Sequence, residues 1–225
     1  MTSYKNVIFD FNGTLYWDTF YHNRAWDKFL KNYDIQISDN KKRVIIYGKN
    51  NENILQELFH HHLTEPDMQV MIHEKESIYQ HICLEHKMEL APGATDFLNF
   101  LVSRDIASAI ATASEKMNVD FYVQHLNLHQ WFGEKQIIYN DRSFRSKPNP
   151  DIFILTMRRI NANPEDTVIF EDSLAGIRAA EKAGAGKIII VDSDGQDYGD
   201  IPYQIITSFE EVSRHLFLPE SDESL

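Results

Sequence analysis

Five short apolar runs, Val7–Phe9, Ala107–Ala111, Gln136–Tyr139, Val168–Phe170 and Ile188–Val191, recur along the chain, each bounded by polar or glycine-containing segments. Their length and boundaries read as buried strands. Helix-like stretches lie between them, near Gly93–Ser103, Glu115–Leu126, Pro150–Ile160 and Leu174–Ala183. Such alternation predicts an α/β fold, a doubly wound parallel sheet with helices on both faces. The interval from about Tyr16 to Glu89 breaks the pattern, because it holds no convincing strand and several helical ones. Trp17, Phe20, Tyr21, Ala25, Phe29 and Leu30 recur at helix-compatible spacings, as do Ile54, Leu55, Leu58 and Phe59. A helical insertion over residues 16–89 is therefore expected, with 1–15 and 90–225 forming the core. Pro92-Gly93 marks the return to that core, and the acidic tail after Pro219 reads as frayed.

A chain of 225 residues with 43% apolar content can fill a substantial core. Its formal net charge of −12 argues against a nucleic-acid or anionic-membrane surface, either of which needs a basic face. A small anionic substrate remains compatible where a metal and a local lysine supply positive charge. Cys83 is the single cysteine, so neither a disulfide framework nor a cysteine metal site is available. No apolar run reaches the roughly 18–20 residues needed to span a bilayer, and the expected setting is cytoplasmic, with a monomeric state.

The chemistry concentrates at strand ends. Asp10 closes the run Val7-Ile8-Phe9 and opens Asp10-Phe11-Asn12-Gly13-Thr14-Leu15, so a carboxylate stands at the carboxyl end of a buried strand, where open α/β sheets place their ligands. Gly13 permits a tight turn in which backbone N–H groups point at an anion. The segment Thr112-Ala113-Ser114 puts hydroxyls and backbone donors where a strand gives way to a helix. Ser146-Lys147-Pro148-Asn149-Pro150 fixes one cation in a loop stiffened by two prolines. Glu171-Asp172-Ser173 sets two acids at another strand end, with Gly176 in the helix that follows. Paired carboxylates facing Asp10 suit a hard divalent cation, and Mg²⁺ is the ion expected.

These four segments resemble, in order and spacing, the motifs of the haloacid dehalogenase superfamily, whose core is Rossmann-like. The resemblance implies a phosphomonoester hydrolase in which Asp10 is the nucleophile and forms an aspartyl-phosphate. Thr112 would bind the transferring phosphoryl group with Gly13, Ala113 and Ser114, and Lys147 would neutralise it. Asp10, Asp172 and the main-chain carbonyl of Asn12 would hold Mg²⁺, with Glu171 supporting the metal. The insertion resembles the small helical cap of the subgroup containing phosphoglycolate phosphatases and β-phosphoglucomutases, which puts His22, Trp26 and Lys49 among the substrate contacts. Asn51 stands where the β-phosphoglucomutase branch carries a phosphate-binding arginine.

Asn12 is a departure from the family pattern, which has an acid there to protonate the leaving alcohol and later activate water. A carboxamide does neither, and losing such help costs about 10²–10⁴-fold in rate. The expected activity is therefore an impaired or unusual hydrolase of a small phosphorylated metabolite, a sugar phosphate or phosphoglycolate. A β-phosphoglucomutase-like phosphosugar mutase and a catalytically poor phosphate-binding protein are the alternatives. His60-His61-His62 invites a metal reading, but consecutive side chains on a helix point in different directions and converge poorly.

Overall fold

The computed structural model describes residues 3–60 and 63–218. The core strands are β1 (Asn6–Phe9), β2 (Ala107–Glu115), β3 (Ile137–Asn140), β4 (Thr167–Glu171), β5 (Lys187–Val191) and β6 (Gln204–Ile206). They form one sheet in the order β3-β2-β1-β4-β5-β6, with every pairing parallel. The chain builds outward from β1 to β3, then crosses back to β4 on the other side. Their carboxyl ends flank a switch point, the crevice where open α/β sheets bind ligands.

Alternate residues of β1 face opposite layers. Val7 and Phe9 enter one apolar cluster with Phe97, Phe170 and Phe209, and Ile8 enters another with Phe153, Met157 and Ile169. Phe9 stacks on Phe170 with ring centroids 5.2 Å apart. Each fully buried side chain of this size stabilises the fold by roughly 1.5–3 kcal/mol, so the two layers clamp the strand that carries Asp10. Helices α5 (Ala94–Ser103), α6 (Lys116–Leu126), α7 (Asp151–Arg159) and α8 (Leu174–Lys182) complete the core.

Residues 16–89 contain four helices among the described residues: α1 (Thr19–Lys31), α2 (Asp39–Ile45), α3 (Asn51–Phe59) and α4 (Glu65–Leu84). Side-chain caps start three of them, with Ser38, Asn50 and Thr64 each accepting a backbone N–H of the first turn. They share an apolar cluster of their own, built on Trp26, Phe29, Leu55 and Ile72. Polar bonds tie them to the strand ends. Asn140 Nδ2 donates to Glu52 at 3.2 Å, Arg142 Nε meets Glu52 at 2.7 Å, and Asn50 N donates to Ser146 Oγ at 3.3 Å.

Three features differ from the sequence expectation. Strand β6 was not foreseen, because Gln204 and Ile205 on this edge strand are exposed and its apolar signal is correspondingly weak. Strand β2 runs on to Glu115 through a register irregularity after Ala111, so Thr112, Ala113 and Ser114 lie in extended chain and not at a helix start. Phe20 is 62% exposed and not part of the apolar face of α1. His60 ends α3 in the left-handed region, whereas His61, His62 and the tail from Pro219 lie outside the described residues. No helix among the described residues is long and apolar enough to cross a membrane.

Candidate active site

Asp10 follows β1 directly, and its backbone N–H still bonds the Phe170 carbonyl of β4 at 2.9 Å, so the sheet fixes its position. Lys147, 3% exposed, reaches it from the loop before α7, with Nζ 2.5 Å from Asp10 Oδ1, and also bonds Glu171 Oε1. Phe153 lies under the ammonium at 5.0 Å. Glu171 is fully buried, and its second oxygen accepts the backbone N–H groups of Asp172 and Ser173, both at 2.9 Å. Gly176 is required beside it, since a Cβ there would stand 1.8 Å from Glu171 Oε1.

Oxygen atoms of Asp10, Glu171 and Asp172 lie within 4.8 Å of one another. Burial raises the Asp10 carboxyl above the usual carboxylate range despite the pull of Lys147, and burial with the Glu171 and Asp10 charges raises Asp172 well above it. Burial pulls Lys147 down, but the Asp10 and Glu171 charges outweigh that and hold it above its ordinary value. Three acids around one lysine suppress one another's ionisation, and an all-oxygen donor set of this kind fits a hard divalent cation. Gly13, at φ +79°, keeps the floor open for Asp172, whose Oδ2 would be 2.2 Å from a Cβ at that position.

Asn12 is held on both sides of its carboxamide. Its Oδ1 accepts from Ser114 Oγ at 2.7 Å and Thr112 Oγ1 at 3.2 Å, and its Nδ2 donates to Asp18 Oδ2 at 2.7 Å and Tyr122 OH at 2.8 Å. His22 Nε2 lies 3.3 Å from both Asn12 Nδ2 and Asp18 Oδ2, with the ring stacked on Tyr79 at 3.8 Å. Lys75 Nζ meets His22 Nδ1 at 3.0 Å. An ammonium only donates, so Nδ1 accepts and the imidazole proton sits on Nε2.

One cavity joins these groups. Asp10, Asn12, His22, Trp26, Lys49, Ala113, Ser114 and Asp172 line it, so the structure brings together most of the residues singled out from sequence. Two expectations need correction. The Gly13 N–H is not open to an anion, because it donates to the Tyr16 carbonyl at 2.7 Å and to Asp18 Oδ1 at 3.1 Å. Thr112 is buried behind Asn12, and the N–H of Ser114 donates back to its hydroxyl at 3.1 Å. Lys147 and Glu171 stand behind the carboxylates and off the cavity lining. Lys49 lines the cavity paired with Glu57 at 3.1 Å.

Sequence reasoning missed Asp18, Lys75 and Glu76, which also line the cavity. A signal existed for two of them. The buried stripe of α4 runs Met68, Met71, Ile72, Lys75, Glu76, Tyr79, Ile82 and Cys83, so two charges occupy apolar-face positions of an amphipathic helix. Burial opposes ionisation of Glu76, but Lys75 beside it and the Asn118 hydrogen bond outweigh that and hold its carboxyl below the usual range.

Comparison with known proteins identifies the family. The sequence model of the haloacid dehalogenase-like hydrolase family matches residues 7–190. A phosphorylated carbohydrates phosphatase of Thermotoga maritima is 28% identical over 185 residues, covering 81% of this chain and 82% of that protein. The β-phosphoglucomutase of Bacillus subtilis is 27% identical over 186 residues, with 80% of each chain covered. A crystal structure of a HAD hydrolase, family IA, variant 3, from Entamoeba histolytica superposes with a TM-score of 0.84 at 28% identity, covering 95% of this chain and 97% of that one. With the family match running from β1 into β5 over the strand ends that carry Asp10, Lys147 and Asp172, this chain belongs to the haloacid dehalogenase-like hydrolase family.

Proposed function

We propose that the chain is a Mg²⁺-dependent phosphatase of small phosphorylated carbohydrates that works through an aspartyl-phosphate at Asp10. The observation that carries this is the meeting of Asp10, Glu171 and Asp172 around the buried Lys147 at the switch point of the sheet. The relative that acts on phosphorylated carbohydrates supports the substrate class. Residues 16–89 serve as a cap that shields the reacting centre from water.

An Asp10 carboxylate oxygen attacks phosphorus, the bond from phosphorus to the leaving oxygen breaks, and that oxygen takes a proton. Water then attacks the aspartyl-phosphate, phosphate leaves, and the Asp10 carboxylate returns. Asp10, Asp172 and the main-chain carbonyl of Asn12 would hold Mg²⁺, which when bound offsets the negative charge a phosphate dianion otherwise meets. Lys147 orients Asp10 and offsets its charge from behind. Asn12 transfers no proton, and its fixed carboxamide instead positions its neighbours. The leaving oxygen takes its proton from solvent; His22, here a neutral imidazole whose Nε2–H faces Asp18 Oδ2 at 3.3 Å, would act as the acid only as an imidazolium.

Phosphate release from a panel of sugar phosphates and p-nitrophenyl phosphate, with Mg²⁺ and with excess EDTA, tests this. Turnover that requires the metal is expected. Full activity in EDTA overturns the metal assignment, and no release by either this chain or Asn12→Asp overturns the phosphatase in favour of a binding protein.

A further inference from the structure

One wall of the cavity is formed by Asn51, Lys75 and Glu76, with Trp26 and Ile54 among the other lining residues. The three polar side chains are 8%, 2% and 2% exposed. Glu76 Oε1 accepts from Asn51 Nδ2 at 2.7 Å and Lys75 Nζ at 2.9 Å, and Oε2 accepts from Asn118 Nδ2 at 2.7 Å. An ionised carboxylate has about four acceptor positions, so one remains. The Asn51 amide donates also to Glu115, at 3.3 Å, and its Oδ1 has no hydrogen-bond partner among the described residues. The cations nearby are matched: Lys75 by Glu76, and Lys49 at the rim by Glu57.

Resting on the phosphatase proposed above, we propose that this wall selects the chemical class of the substrate: an uncharged polyhydroxyl body, a sugar or polyol, bearing one phosphate. Hydroxyl groups donate to Glu76 and Asn51 Oδ1, while Trp26 and Ile54 offer apolar surface to the C–H faces between hydroxyls. A second phosphate or a carboxylate would enter a desolvated wall whose buried charges already cancel, with Glu76 in front and Glu115 behind Asn51. Like charge in such surroundings is strongly disfavoured, and selection against it is as much a part of specificity as attraction. Glu76 is thus a specificity-determining residue, reading hydroxyls and neutralising Lys75 so that it does not recruit an anion.

The test is calorimetric binding of glucose 6-phosphate, glucose 1,6-bisphosphate and phosphoglycolate to the Asp10→Asn chain in Mg²⁺, alongside turnover of the same esters by the unmodified chain. Glucose 6-phosphate should be preferred over both other ligands by about 10-fold to 200-fold. Glu76→Gln leaves Lys75 unmatched, and Asn51→Arg adds a cation to the wall. Each variant, checked by thermal melt, should narrow the preference over the bisphosphate about 10-fold or more. Equal binding of mono- and bisphosphate, no binding of any ester, or an unchanged ratio in both folded variants overturns the proposal. Because binding is read without turnover, an intact preference with no hydrolysis supports the wall and counts against only the phosphatase.

Discussion

Asn12 donates its side-chain amide to the Asp18 carboxylate across 2.7 Å, joining the turn after β1 to the residue just before α1. Asp18 is fully buried and also accepts the Tyr79 hydroxyl and, at 3.1 Å, the backbone N–H of Gly13. An amide at position 12 and an acid at position 18 are therefore complementary. Two acids would not be.

Asn12→Asp sets a second carboxylate against Asp18 and removes the bonds that Nδ2 makes to Asp18 and Tyr122. A loss of about 2–3 kcal/mol is expected at pH 8, which lowers Tm by roughly 4–12 °C for a chain of this size. The loss should shrink at pH 5, where one proton can be shared by the pair. Identical melts at pH 8 would contradict the network.

The same variant should raise turnover of alkyl phosphates more than of p-nitrophenyl phosphate, because an aryl oxide departs with little protonation. Stopped assays on both esters measure this. Fast alkyl turnover by the unmodified chain would point to His22 as the working acid, and His22→Gln should then suppress it.

Lys147→Met strips the cation from two buried acids. Removing one partner of such a cluster destabilises by about 3–5 kcal/mol, and turnover should be lost with it. The sign with pH follows from burial: the Asp10 carboxyl, whose folded pKa is raised, binds a proton in the native state, so stability lost at pH 8 is regained as pH falls. A melt insensitive to pH in this variant contradicts the charge cluster.

Glu115 offers a smaller pH effect. Burial and the nearby Glu52 charge raise its carboxyl from 4.5 to about 6, against the pull of Asn51 and Arg142. A raised carboxyl contributes stability below its unfolded value that is lost as pH rises through the folded one. Melts between pH 4.5 and pH 6.5 should therefore decline with pH more steeply for the unmodified chain than for Glu115→Gln. Equal slopes would contradict the burial of Glu115 beside Glu52.

Much of this was legible in the sequence, because fully buried strands leave short apolar runs and strand-end chemistry falls immediately after them. Asp10 could be read directly from Val7-Ile8-Phe9, and the core helices fell within a few residues of their observed bounds. Strand β6 could not, since a three-residue edge strand with two exposed positions carries no apolar pattern. The second polar layer was hidden for a different reason. Asp18, Lys75 and Glu76 come together only when α1 packs on α4, and local sequence does not encode which charges of two helices will meet. The hydroxyl of Thr112 was foreseen at the site, but its partner, the Asn12 side chain 100 residues away, was not.

The central claim is that Asp10 takes the phosphoryl group, and the most direct measurement is the mass of the chain quenched with acid during turnover of a sugar phosphate in Mg²⁺. One added phosphoryl group is expected on the peptide containing Asp10, persisting because Asn12 does not activate water, and absent from Asp10→Asn, whose Tm should be unchanged or raised by loss of a buried like charge. An adduct on another residue, or phosphate release by Asp10→Asn at the rate of the unmodified chain, would contradict the claim.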